Sequence, residues 1–218
     1  MNRVLWAEAI GTAFLLIGVV GSGIMAETLS GGNTGLALLA NAVATGAMLF
    51  VIITVLGPIS GAHFNPAVTL AFALRGDVAP GLALVMIGVQ IVGGIVGVWL
   101  SHLMFDLAIL QTSTTMHRTG LAQWSSEIIA TFGLLFTIFG GLKARPEAVP
   151  AMVGIYITGA YWFTSSTSFA NPAVTIARSF SDTFAGIYPG HAPMFIVMQI
   201  IGVGIGAFVL PRLLGDSE

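Results

Sequence analysis

The chain has 218 residues, of which 56% are hydrophobic and only 7% charged, whereas a soluble domain carries roughly 25% charged residues. So little charge cannot cover a water-facing surface, and the composition places the chain in the polytopic membrane class. A formal net charge of -2 gives no electrostatic footprint for nucleic acid, and the lack of cysteine excludes disulfides, thiol nucleophiles and thiolate metal sites.

The first apolar run, 4–25, follows a short MNR start. It exceeds a signal-peptide core and has no A-x-A site, so it reads as a spanning helix. Further runs lie at 36–56, 81–104, 124–142, 148–164 and 192–213. Most are near the roughly 20 residues that cross about 30 Å of hydrocarbon, the fifth being shorter. The breaks "SGGNTG", "RGDVAPG", "KARPEAVP" and "YPGHAP" carry turn chemistry. With the N-terminus inside, Arg3, Arg75, Lys143, Arg145 and Arg212 are cytoplasmic, and only Arg118 and Arg178 fall on the other side. This positive-inside bias predicts both termini cytoplasmic, in a plasma (inner) membrane.

The sequence repeats itself. "AEAIGTAFLL" (7–16) matches "SEIIATFGLL" (126–135), pairing Glu8 with Glu127 and Thr12 with Thr131. "TGA" at 45–47 recurs at 158–160, NPAVT at 65–69 recurs at 171–175, and "QIVGGIVG" (90–97) recurs as "QIIGVGIG" (199–206). Each half, about 1–104 and 124–213, holds three spans, so the second half is inverted relative to the first within one transmembrane domain covering 1–218. Gly93 and Gly97, like Gly202 and Gly206, form small-residue pairs that allow close helix crossing.

Asn65 and Asn171 read as helix N-caps, with Pro66 and Pro172 at the first helical position, where a missing N–H costs nothing. A helix from Pro66 to Arg75 is about 15 Å long, half the hydrocarbon thickness. Two such half-helices entering from opposite faces bring their N-termini together at mid-membrane. Irregular backbone there is tolerated only if buried in protein or lining a cavity, so a pore or binding site is implied.

Two NPA triplets, Asn65-Pro66-Ala67 and Asn171-Pro172-Ala173, with "AEAIGT" and "GPISGAHFNPAVT" in order, make the chain resemble the aquaporins and glycerol facilitators, the major intrinsic proteins. The resemblance covers essentially the whole chain. It implies an all-α fold of six transmembrane helices and two re-entrant half-helices, a homotetramer in the lipid bilayer, no cofactor, and passive passage of water or small neutral solutes. Each half-helix dipole puts about half a positive charge at the meeting point, which repels cations. The two asparagine amides are then expected to donate hydrogen bonds into the lumen.

The resemblance also implies a four-residue constriction toward the outer side, which an ungapped count places at Thr45, Gly159, Ser168 and Val174. Water-selective members place an aromatic, a histidine and an arginine there, and glycerol facilitators keep aromatics and the arginine. On this count none is present, so a wide, weakly charged aperture is expected. "NPAVTIARSFSDTFAGI" resembles a bacterial subgroup associated with arsenic resistance, in which valine likewise replaces the arginine, implying passage of arsenite or methylated arsenicals.

Four more side chains stay open in role. Arg178, one turn beyond Val174, fits a displaced selectivity arginine, a vestibule cation that attracts oxyanions, an i,i+4 partner of Asp182 or a snorkelled charge. Glu8 and Glu127 suit braces for the loops near 60–64 and 166–170, with a proton relay as the alternative. His63 is a loop brace or lines the inner vestibule. His102, His117 and His191 have no metal-ligand spacing. A secondary transporter would need a titrating or ion-binding group at the midplane, where this sequence has asparagines. An intramembrane hydrolase would need a nucleophile motif such as G-x-S-x-G, which is not apparent.

Overall fold

The computed structural model describes residues 3–215; the two chain ends, on which the expectation about the termini falls, lie outside the described residues. Among the described residues the regular structure is entirely helical. The first span comprises α1 (Arg3–Leu16), a π-helical turn (Ile17–Gly21) and α2 (Ser22–Leu29). A π turn displaces carbonyls from the ordinary ladder, and here the Asn41 amide donates to the Val19 carbonyl at 2.8 Å. There follow α3 (Thr34–Ser60), α4 (Pro66–Leu74), α5 (Pro80–Met104), α6 (Leu121–Ala144), α7 (Val149–Phe163), α8 (Pro172–Arg178) and α9 (Ala192–Leu214).

Five of these spans are long and apolar enough to cross a membrane. The sixth, α7, has 15 residues and is preceded by a 3-10 turn at Pro146–Ala148, so it matches the shorter run read from the sequence. The first two spans run further than expected. α2 continues to Leu29 through polar residues, and α3 carries Pro58 inside its last turn before Gly61, at φ 84°, ends it. Proline there removes one hydrogen bond near a helix end that is about to stop, so it does not break the span.

The packing repeats as the sequence does. α1 lies along α5, α6 lies along α9, and α3 packs on α7 between the halves. Gly93 and Gly97 sit against the Ala9 and Ala13 backbone, where a β-carbon would overlap the carbonyls. That closeness lets α5 approach α1 and anchor α8, which packs on both. Charged side chains mark the two ends. Arg75 stands 4.5 Å over the Phe139 ring and Lys143 donates to the Leu214 carbonyl at one end, while Arg118 and Arg178 meet around Phe169 at the other.

Overpacking a close crossing costs typically 1–3 kcal/mol or more. Gly97→Val should therefore lower the thermal unfolding temperature in detergent, followed by intrinsic fluorescence, and Gly88→Val, at a position with open space around it, should not. Equal unfolding temperatures for the two variants would contradict the packing described.

Candidate functional site

The two half-helices start from a common point. Asn65 and Asn171 have nearly identical extended backbones, with φ/ψ of -156°/117° and -159°/112°. Asn65 Oδ1 accepts from the Ala67 N–H at 2.8 Å, and Asn171 Oδ1 accepts from the Ala173 and Val174 N–H groups at 2.9 and 3.2 Å. Pro66 and Pro172 stand at the first helical position in each. The side-chain amides then cross over. Asn65 Nδ2 donates to the Ala170 carbonyl at 2.8 Å, and Asn171 Nδ2 donates to the Phe64 carbonyl at 2.9 Å. Each amide has two N–H groups, so one is left over, and both residues line the central cavity.

The loops leading into the half-helices are strained in matching places. Ala62 and Phe64 have φ of 52° and 49°, and their repeat partners Ser168 and Ala170 have 50° and 46°. Left-handed backbone costs a non-glycine residue roughly 1–2 kcal/mol. Two buried carboxylates hold it. Glu8 Oε1 accepts from Ser60 Oγ (2.6 Å) and the His63 N–H (3.0 Å), and Oε2 from the Phe64 N–H (2.8 Å) and Gln90 Nε2 (2.7 Å). Glu127 repeats the set, Oε1 accepting from Ser166 Oγ (2.6 Å) and the Phe169 N–H (2.9 Å), and Oε2 from the Ala170 N–H (2.9 Å) and Gln199 Nε2 (2.6 Å). Gln90 and Gln199 also donate to Thr69 and Thr175, each at 2.9 Å. Neither carboxylate lines the cavity, so the geometry gives no support to a proton relay.

Sequence reasoning missed the glutamines and the supporting Ser60, Ser166, Thr69 and Thr175. The signal was present, because both glutamines open the repeated "QIVGG" and "QIIGV" segments and both threonines close NPAVT.

The cavity follows one face of α7 from Val149 through Val153 and Ile157 to Tyr161, about 18 Å of helix rise. Facing this stripe are Leu49 and Ile53 of α3, Leu134 and Ile138 of α6, and Val68 and Val174 of the half-helices. Apolar walls thus carry a few polar groups at fixed points. His63 lines the wall, with Nδ1 3.1 Å from Thr69 Oγ1 and its ring 4.5 Å from that of Phe72. Thr45, Ser168 and Val174 are buried and line the cavity, and Ser168 Oγ has no hydrogen-bond partner among the described residues.

Two expectations are corrected. Gly159 is exposed on α7 and does not line the cavity. Positions two residues apart on a helix face nearly opposite ways, and Tyr161 is the residue that turns inward, its hydroxyl 3.3 Å from Thr45 Oγ1. Tyr161 thus brings an aromatic residue to the cavity wall beside Thr45. Arg178 does not pair with Asp182, because α8 ends at Arg178 and the chain turns away. Asp182 instead accepts from the hydroxyls and N–H groups of Thr114 and Thr115 at 2.6–3.1 Å. These bonds, led by the Thr114 hydroxyl, hold its carboxyl below the usual carboxylate range. Arg178 is buried against the cavity, its guanidinium carbon 3.5 Å from the Phe169 ring centroid.

A family model described as "Major intrinsic protein" matches residues 1–165. The chain is 54% identical over 208 residues to aquaglyceroporin AqpS of Rhizobium meliloti (strain 1021), covering 95% of this chain and 88% of that one. It is 32% identical over 224 residues to aquaporin TIP1-1 of Zea mays, covering 95% and 85%. Its fold superposes on the X-ray structure of the aquaglyceroporin from Plasmodium falciparum with a TM-score of 0.74 over 99% of both chains, at 19% identity.

All four groups that meet each brace can donate, so a carboxylate suits the site and an amide does not. Glu127→Gln turns an NH₂ group toward donors, and a buried mismatch of this kind costs about 1–3 kcal/mol. Glu127→Gln should unfold at lower temperature in detergent and reach the membrane in lower yield. A Gln variant as stable as the wild type would contradict the brace.

Proposed function

The chain belongs to the major intrinsic protein family, whose members are membrane channels and not enzymes, and on that premise we propose that it is a passive pore for neutral solutes wider than water. Glycerol, undissociated arsenic hydroxides and methylated arsenicals are the solutes it suits, with water passing alongside. The whole chain, 1–218, acts as one channel domain of two inverted halves. It works as a homotetramer in the plasma membrane, with both termini cytoplasmic and each monomer conducting by itself.

The observation that carries this reading is Val174. It follows the second NPA triplet, is buried, and lines the cavity with Thr45, Tyr161 and Ser168. Two methyl groups stand where the family arginine would offer five N–H donors and a full charge. That charge is missing at this position, and Arg178, one turn further along the half-helix, is the cation that borders the same cavity. Tyr161 and Thr45, whose hydroxyls meet, supply hydrogen-bonding groups, and Val174 supplies an apolar wall. Such an amphipathic ring suits a polyol or an arsenic hydroxide, which carries hydroxyl groups around an apolar or polarisable centre. Deeper in, Asn65 and Asn171 each retain an N–H to replace hydration that the solute sheds. His63 lines the other vestibule, and its bond to Thr69 supports a bracing role there.

The test is Val174→Arg in proteoliposomes, with paired stopped-flow measurements of water, glycerol and arsenite at matched protein density. The guanidinium narrows the aperture, so glycerol and arsenite flux should fall about tenfold or more, equivalent to about 1.4 kcal/mol of barrier, while water flux falls less. Equal loss of all three solutes, or loss of none, would remove Val174 from the selectivity position.

A further inference from the structure

The mouth reached by α8 holds two arginines, Arg178 and Arg118, around one aromatic ring. Arg178 is only 2% exposed, and a buried cation is expensive unless an anion compensates it. No carboxylate touches it among the described residues; Glu127 attracts both it and Arg118 only through space. Glu127 is committed to its four donors, Asp182 to Thr114 and Thr115, and the ion pair Arg75–Asp77 belongs to the other end of the molecule. The Nε–H of Arg178 goes to the Ala185 carbonyl. Its two terminal nitrogens make no hydrogen bond to the described residues, and the side chain borders the cavity.

Arg118 reaches the same place from the segment joining α5 and α6. Its Nε donates to the Gly186 carbonyl at 2.9 Å, one terminal nitrogen to the Phe184 carbonyl at 3.3 Å, and the other to Thr167 Oγ1 at 3.5 Å. Its guanidinium carbon lies 5.3 Å from the centroid of the Phe169 ring that Arg178 covers at 3.5 Å. Two cations are thus fixed around one ring by three consecutive carbonyls, 184–186, and every acceptor they use is neutral. Like charges held together in this way are stabilised by an anion placed between them and the lumen. The free edge of Arg178 presents parallel N–H groups, the geometry that pairs with a planar carboxylate through two bonds.

We propose that this mouth is an anion subsite in which Arg178 and Arg118, arranged around Phe169, take a small singly charged oxyanion of the carboxylate type. The proposal rests on reading the cavity as a solute channel, since the subsite lies on its path. Neutral solutes pass the two guanidiniums as hydrogen-bond acceptors, and a bound anion occupies the same donors and slows them.

Sodium formate is the probe. Its binding to the purified full-length protein in detergent, at constant chloride, is followed by titration calorimetry, and its effect on glycerol entry is followed in proteoliposomes. Saturable formate binding is expected, weakened about tenfold or more by Arg178→Met and by Arg118→Gln, with Arg178→Lys intermediate because an ammonium keeps the charge and loses the fork. Size-exclusion profiles and thermal unfolding identify variants that are folded, and Arg118→Gln, at a partly exposed position, provides the reading should Arg178→Met fail to fold. No saturable binding by the wild type, or binding unchanged in folded Arg118→Gln and Arg178→Met, would overturn the subsite. Wild-type vesicles that conduct no glycerol while formate binding remains arginine-dependent would instead overturn the channel reading and support the subsite.

Discussion

Everything in this molecule depends on what to do with backbone N–H groups at the middle of a membrane. Two half-helices that begin there need loops, and loops leave donors without the water that would ordinarily satisfy them. Each loop solves the problem with one carboxylate from the neighbouring span. Glu8 takes the N–H groups of His63 and Phe64, and Glu127 takes those of Phe169 and Ala170. A buried carboxylate is itself tolerable only when its oxygens are saturated, which is what the serine and glutamine at each site accomplish. With the loops held in a left-handed backbone that alanine, serine and phenylalanine do not favour, the asparagines can cap their own helices and grip the opposite loop.

The repeat supplies a symmetric framework, and function enters where the halves diverge. Val68 and Val174 are repeat partners, and both line the cavity. One turn further out, Phe72 in the first half corresponds to Arg178 in the second. Phe72 stacks against His63 and Phe139, and Arg75 lies over the Phe139 ring. Arg178 joins Arg118 over Phe169. The same scaffold therefore places an aromatic at one position and an arginine at its repeat partner, with the two asparagines lining the cavity between them.

Much of this was legible in the sequence because it depends on local rules. N-caps followed by proline, spans of membrane length, and a glutamate repeated in register all carry their meaning within a few residues. Side chains that act across the fold were harder to see. Gln90 and Gln199 look like isolated polar residues in apolar spans until the loops fold back onto them. Arg118 sits in a connecting segment without periodicity, so nothing in its neighbourhood reveals that it reaches Phe169. Gly159 was placed in the aperture by a count along the chain, and on a helix an offset of two residues is enough to exchange the lumen for the outside. Arg178 and Asp182 had the right spacing for a pair only if the helix continued, and it stops between them.

Among the described residues the cavity is lined at the half-helix starts by two asparagine amides, and neither Glu8 nor Glu127 reaches it, so no carboxylate stands ready to couple solute movement to an ion gradient. Glycerol movement into proteoliposomes of the wild-type protein, measured with and without imposed proton and sodium gradients and with a pH-sensitive dye inside, tests this most directly. The expected result is glycerol flux that follows its own gradient, is unchanged by either ion gradient, and carries no proton signal. Glycerol accumulation above the external concentration, driven by protons or sodium, would contradict a passive channel.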